Sequence, residues 1–307
     1  MAFAGNRNDG STSVAAGFLD ALERWVAVDR SPSAPALRAA LLPWLRAAQA
    51  AQPSMALVHQ LAARALSVAD AGLAREDGAA DLRAHLAASC ASERGDLAAA
   101  AKASARTAAA LVSQPGPWIA TLSMSGLVLE ALRELRRGGR APRVILAESR
   151  PKLEGRAMAA ALAADDIPVW LVADAALPML VQQAAAVWLG ADAVTEHGVL
   201  NKVGSFVAAL AAREHGVPVH AIATRRKLIP AATPALAIAE MPPAELWDAA
   251  PAGVKPRNVY FEMVPLALLR GVVVEGDVLG PNEIAVAAAD RALPDELSAA
   301  PPQGDAG

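Results

Sequence analysis

The chain has 307 residues, a formal net charge of −3 and a single cysteine, Cys90. One cysteine excludes an internal disulfide framework and a cysteine-rich metal centre, and the absence of a long basic block argues against a nucleic-acid partner. Hydrophobic residues make up 54%, many of them alanine, which favours helices over strands.

No apolar run reaches the ~20 residues of a bilayer span, so no membrane partner is expected. The opening MAFAGNRNDGSTS lacks the apolar centre of a secretory signal. A cytoplasmic globular protein is the expectation. Residues 1–13 are polar and read as frayed as far as Asp9 or Ser13. Phe18, Leu19, Leu22, Trp25 and Val26 then recur at helical spacing. After Pro32 and Pro35 the pattern restarts with Leu37, Leu41, Trp44 and Leu45, and Pro43 inside it predicts a kink or break. Ser54 is placed to cap a helix carrying Leu57, Val58 and Leu61. Gly72 and residues 76–78 mark a loop. Residues 80–112 are alanine-rich and helical, with a break expected near Gly95. The result is an N-terminal helical domain over residues 1–115.

The texture changes at Trp118. Residues 118–122 read as a strand, and SMSGLVLEALRELRRGG as a helix closed by Gly138 and Gly139. Three apolar runs follow, at 144–147, 169–173 and 187–189, each stopping at a polar or glycine-rich turn with helix formers between them. Short buried strands joined by helical crossovers predict a parallel sheet and an α/β fold class. Residues 206–215 read as helix, 219–223 as strand, 230–258 as a proline-rich surface loop and 272–274 as a late strand. The second domain spans 116–297, and 298–307 read as a disordered tail.

Familiar catalytic motifs are missing: there is no G-x-G-x-x-G, no G-x-x-x-x-G-K and no H-E-x-x-H. The histidines at 59, 85, 197, 215 and 220 show no ligand-like pairing, so neither a metal nor another cofactor is expected. Four polar groups lie near strand ends or helix starts, where open α/β sheets bind ligands. Thr121, Ser123 and Ser125 stand where a strand turns into a helix; they can hold a phosphate at the helix N-terminus or simply cap the helix. Arg150, after Glu148 and Ser149, can grip a phosphate bidentately or pair with Glu148 or Glu154. Asp192 follows an apolar strand and Gly190; partly desolvated, it can act as acid or base, and otherwise it caps a turn. Asn201 and Lys202 read as opening the next helix, as a phosphate and sugar contact or as a solvated helix start. Together the four suit a pocket for a phosphorylated small molecule.

ESRPKLEGR, GADAVTEHGVLNKVGS and YFEMVPLALLRGVVVEGDVLGP resemble one group of proteins across residues 118–285, and PSMA at 53–56 resembles its factor members. That group comprises the alpha, beta and delta subunits of eukaryotic initiation factor 2B and two isomerases, acting on methylthioribose 1-phosphate and ribose 1,5-bisphosphate. The resemblance implies a helical domain followed by a Rossmann-like parallel-sheet domain. It also implies a homodimer formed through the C-terminal domain.

The isomerases carry a T-H-C-N/H turn whose cysteine works with an aspartate to move a proton between C2 and C1. The matching turn here is Thr121-Leu122-Ser123-Met124-Ser125, with serine at the cysteine position, while the aspartate is kept as Asp192. Ser123 is a poor proton carrier, because a thiol titrates near ~8.5 and an alcohol is a far weaker acid. The isomerases' phosphate-binding arginine-glycine pair is matched by Asp9-Gly10, and their glutamine by Glu154, as in the factor subunits. Asn201 and Lys202 are kept. Cys90, in the helical region, reads as a small buried hydrophobe.

The resemblance therefore implies a factor-like protein that binds a sugar phosphate or nucleotide without isomerase turnover. Thr121, Ser125, Arg150, Glu154, Asn201 and Lys202 would hold the ligand beside Asp192 and Ser123. The alternatives are a working aldose–ketose isomerase, with Asp192 shuttling the proton and Ser123 or water in place of the thiol, and an exchange-factor subunit with a translation-factor-like partner.

Overall fold

The computed structural model describes residues 10–298. Among these residues four helices come first: α1 (Ser11–Val28), α2 (Ala34–Ala51), α3 (Ala56–Ala74) and α4 (Ala79–Ala110). Their inward stripes, including Phe18, Leu41, Leu61, Leu86 and Cys90, share one apolar core. Trp44 closes its edge against Phe18 and Trp25, with ring centroids 5.6 and 6.1 Å apart.

Three local expectations fail here. Pro43 lies inside an unbroken α2. It is exposed, so water can serve the carbonyl it leaves unpaired, while buried Leu37, Leu41 and Leu45 hold the helix from the other side. Gly95 likewise lies within a continuous α4; a glycine there costs only about 1 kcal/mol relative to alanine, less than the flanking packing supplies. Ser54 does not cap α3, whose N-cap is Met55; its hydroxyl donates instead to the Ala237 carbonyl at 2.7 Å. Ser11 to Ser13 are helical, and Asp9 lies outside the described residues.

The α/β part begins with β1 (Trp118–Leu122), α5 (Gly126–Arg137), β2 (Arg143–Ala147), α6 (Glu154–Ala164) and β3 (Val169–Val172). It continues through α7 (Leu177–Leu180), β4 (Ala186–Leu189), β5 (Ala193–Thr195), β6 (Gly198–Lys202), α8 (Ser205–Glu214) and β7 (Val219–Ile222). Then come β8 (Glu240–Met241), β9 (Asn258–Val259), β10 (Phe261–Pro265), β11 (Gly271–Val274) and β12 (Asp277–Leu279). The described chain closes with α9 (Pro281–Ala289) and α10 (Asp295–Ser298).

Among the described residues the main sheet has the order β12-β11-β7-β4-β1-β2-β3, parallel throughout except for β12. Its side chains alternate as a two-sided buried sheet requires. Ile119, Val144, Leu146 and Trp188 pack against α4, α5 and α6; Ala120, Ile145, Val187 and Leu189 pack against α7 and α8. A smaller antiparallel sheet has the order β10-β6-β5, and β8 pairs with β9 inside the region read as a plain loop.

The expected boundary at residue 115 is bridged twice. Ala105, Ala108 and Ala109 of α4 belong to the core of the main sheet, while Leu297 of α10 returns to the helical core. There Gln49 Nε2 donates to the Leu297 carbonyl at 3.1 Å. Ser298, assigned to the tail, ends α10; residues 299–307 lie outside the described residues.

Two glycines give opposite expectations. A Cβ on Gly155 would overlap the Ala147 carbonyl and come within 2.9 Å of Glu148 Cα, whereas one on Gly95 meets nothing within 4 Å. In urea melts Gly155→Ala should lose about 1–3 kcal/mol and Gly95→Ala should gain about 1 kcal/mol.

Candidate functional site

The chain leaves β1 toward β2 and β3 on one side, then returns to place β4 on the other. Such a reversal opens a crevice beyond the carboxyl ends of the two strands. A cavity of about 160 Å³ lies there, lined by residues just past β1 (Ser123 to Gly126) and β4 (Gly190 to Asp192), by Asn201 and Lys202 of β6, and by Glu154, which opens α6. Gly10, Ser11 and Thr12 at the start of α1 complete it together with Met55, Lys227, Tyr260 and the β8 segment.

The turn after β1 is built tightly. Ser123 has a left-handed φ of 61°, and its backbone N–H donates to Ser149 Oγ at 2.7 Å. Ser125 caps α5 by accepting from the Val128 N–H at 3.4 Å. A Cβ at Gly190 would lie 2.9 Å from Ser125 Oγ and 3.2 Å from Asn201 Oδ1, so the missing side chain lets three elements converge. The amino ends of α1 and α5 also meet: Cβ positions at Gly10 and Gly126 would lie 3.0 Å from the Met124 carbonyl and 3.8 Å from Thr12 Oγ1. Two helix N-termini facing one cavity favour an anion.

Charged side chains line the same cavity. Lys202, about 95% buried, places Nζ 2.5 Å from Glu154 Oε1 and 4.2 Å from the centre of the Tyr260 ring. Tyr260 in turn donates to Glu245, which Lys152 grips at 2.8 Å. Glu154 Oε2 is buried without a hydrogen-bond partner among the described residues, so a ligand hydroxyl can donate to it. Asn201 Nδ2 donates to Ser205 Oγ at 2.9 Å. Asp192 is pushed up to about 6, chiefly by burial, against the opposing fields of Lys227 and Lys202 and a hydrogen bond from Ser11. Lys227 is pushed down to about 8 by burial, partly offset by Asp192. Its ammonium donates to Ser11 Oγ at 2.7 Å and to the Ala191 carbonyl at 2.6 Å.

The structure thus brings Ser123, Ser125, Glu154, Asp192, Asn201 and Lys202 to one cavity. Thr121 sits behind it, buried, with Oγ1 unpartnered among the described residues. Arg150 is a correction: it is exposed and does not line the cavity. Asp174 accepts the N–H groups of Ser149 and Arg150, both at 2.7 Å, and turns that backbone outward; Glu148 pairs with Arg156 instead, at 2.9 Å. Asn201 and Lys202 are a second correction. They end β6, paired with Glu262 and Phe261 of β10, and α8 starts only at Ser205. Lys227 was missed; its only sequence signal is the run Arg225-Arg226-Lys227 after β7, in which nothing singles out the third residue.

The Asp192 environment sets a pH dependence. A carboxyl raised from 3.8 to about 6 in the folded state favours folding when protonated, so its contribution is complete below about pH 4 and is lost as pH rises through 6. The shift corresponds to about 3 kcal/mol. Relative to wild type, Asp192→Asn should gain roughly that amount between pH 4 and pH 7 in urea melts; a constant difference would contradict the assignment.

The sequence matches the model of the Initiation factor 2 subunit family over residues 7–281. No curated protein sequence matches it. Among solved structures, translation initiation factor eIF-2B of Pyrococcus horikoshii OT3 is similar, at 24% identity over 91% of this chain and 94% of that one, with a TM-score of 0.77. So is 5-methylthioribose 1-phosphate isomerase from the same organism, at 21% identity over 94% and 85%, with a TM-score of 0.72. A chain of the tetrameric eIF2B-beta2-delta2 complex from C. thermophilum is 20% identical over 93% and 90%, with a TM-score of 0.66. These likenesses show a shared fold, a helical region followed by a mostly parallel α/β sheet domain. The family match covers most of the sequence, and the chain belongs to the Initiation factor 2 subunit family.

Proposed function

We propose that the protein binds a sugar phosphate, free or as part of a nucleotide, in the cavity around Asp192 and releases it unchanged. The anion would sit at the facing N-termini of α1 and α5, and a ligand hydroxyl would reach Glu154 Oε2. The observation that carries this reading is the company Asp192 keeps. Its cavity holds the Ser123 hydroxyl and two ammonium groups already engaged, Lys202 by Glu154 and Lys227 by Ser11 and the Ala191 carbonyl. The Ser123 hydroxyl does not exchange protons near neutral pH, and Lys227, the other candidate at about 8, is held by Ser11 and the Ala191 carbonyl.

One observation favours a second reading. A carboxyl near 6 is suited to general acid–base work, and a similar fold is found in 5-methylthioribose 1-phosphate isomerase. On that reading Asp192 shuttles the proton and water stands in for the thiol.

Phosphorus NMR with methylthioribose 1-phosphate and ribose 1,5-bisphosphate separates the two. Broadened or shifted resonances that saturate, with no new ketose-phosphate signal over hours, are expected, and Lys202→Met, which removes the ion pair that positions Glu154, should weaken the binding roughly tenfold. New signals that disappear in Asp192→Asn would establish the isomerase instead. Spectra unchanged by the protein would reject both.

A further inference from the structure

A second groove, of about 500 Å³, lies on the far side of the turn that carries Lys227, between the helical bundle and the sheet. Arg64 of α3 lines it with Arg225 and Arg226 from the turn after β7 and Arg291 from the segment after α9. Against these four guanidinium groups stand three lining carboxylates, Glu93, Asp96 and Glu275.

Two of the arginines, Arg225 and Arg226, are seated by carboxylates. Glu93 of α4, its side chain only 5% exposed, holds Arg226 at 2.7 Å and Arg64 at 3.5 Å. Gln60 donates to the carbonyls of Leu228 and Arg291, at 3.2 and 2.8 Å, fixing the backbone on both sides of the groove. Arg225 gives its backbone N–H to Glu275 and its guanidinium to Asp277 at 3.2 Å. Two donors remain in reserve. Arg291 has no side-chain hydrogen bond or ion pair among the described residues, and the half-exposed Arg64 has only its long contact to Glu93.

We propose that this groove binds a small multivalent oxyanion of the diphosphate class. Two planar guanidinium forks with unused donors, Arg64 of α3 and Arg291 after α9, line the one groove and match two phosphoryl groups, each of which can accept a bidentate contact. The site is separate from the Asp192 cavity, yet one three-residue turn serves both: Arg225 and Arg226 face the groove, and Lys227 enters the cavity.

Calorimetric titration of the full chain with inorganic pyrophosphate at low salt tests the proposal. One saturable event is expected, weakened at least tenfold in Arg64→Ala/Arg291→Ala and retained in Lys202→Met. Arg291→Ser alone removes a side chain without a partner among the described residues, so it should weaken binding several-fold while leaving the melting temperature of the free protein unchanged. Absence of binding to the wild type would overturn the proposal. So would binding that survives loss of both arginines or disappears in Lys202→Met, since the anion would then occupy the first cavity.

Discussion

Three ionisable side chains, Asp192, Lys202 and Lys227, are buried within one small region, and the arrangement of the two halves of the protein depends on keeping them compensated. An uncompensated buried charge costs several kcal/mol. Neither half supplies the compensation alone. The sheet region provides Glu154, Tyr260 and the Ala191 carbonyl. The helical region provides the Ser11 hydroxyl, which meets both the Lys227 ammonium and the Asp192 carboxyl. The helices therefore do more than cover the sheet. They close the crevice beyond β1 and β4 and place the Ser11 hydroxyl on the carboxyl inside it.

The same compensation limits the chemistry. Lys202 and Lys227 are tied to protein acceptors, and the turn after β1 brings a serine, whose hydroxyl does not exchange protons near neutral pH. The shared fold hosts both a translation factor and an isomerase, so fold alone does not choose between them. The proposed reading rests on single atoms: the oxygen of Ser123 beside Asp192, and a Glu154 carboxylate oxygen without a hydrogen-bond partner among the described residues.

Much of this was legible in the sequence wherever the signal was local. Residues 118–122 form β1 as read, because an apolar run bounded by Pro117 and a serine-rich turn leaves little alternative. The position of Asp192 after a buried strand and a glycine was readable, and the structure puts it just past β4, where the strand order reverses. Non-local pairing defeated the rest. Asn201 and Lys202 belong to a strand because β10, some sixty residues later, pairs with them. Ser54 satisfies a carbonyl at residue 237 rather than its own helix, and Arg150 is turned outward by Asp174. The role of Lys227 emerges only once Ser11 is seen beside it.

The most direct test of the central claim is a crystal structure of the protein grown with ribose 1,5-bisphosphate. The account predicts an intact aldose phosphate beside Asp192, with a phosphate at the N-termini of α1 and α5 and a hydroxyl within hydrogen-bond distance of Glu154. A ketose in the cavity would contradict it by showing turnover, and a cavity left empty at saturating ligand would contradict it by showing no binding.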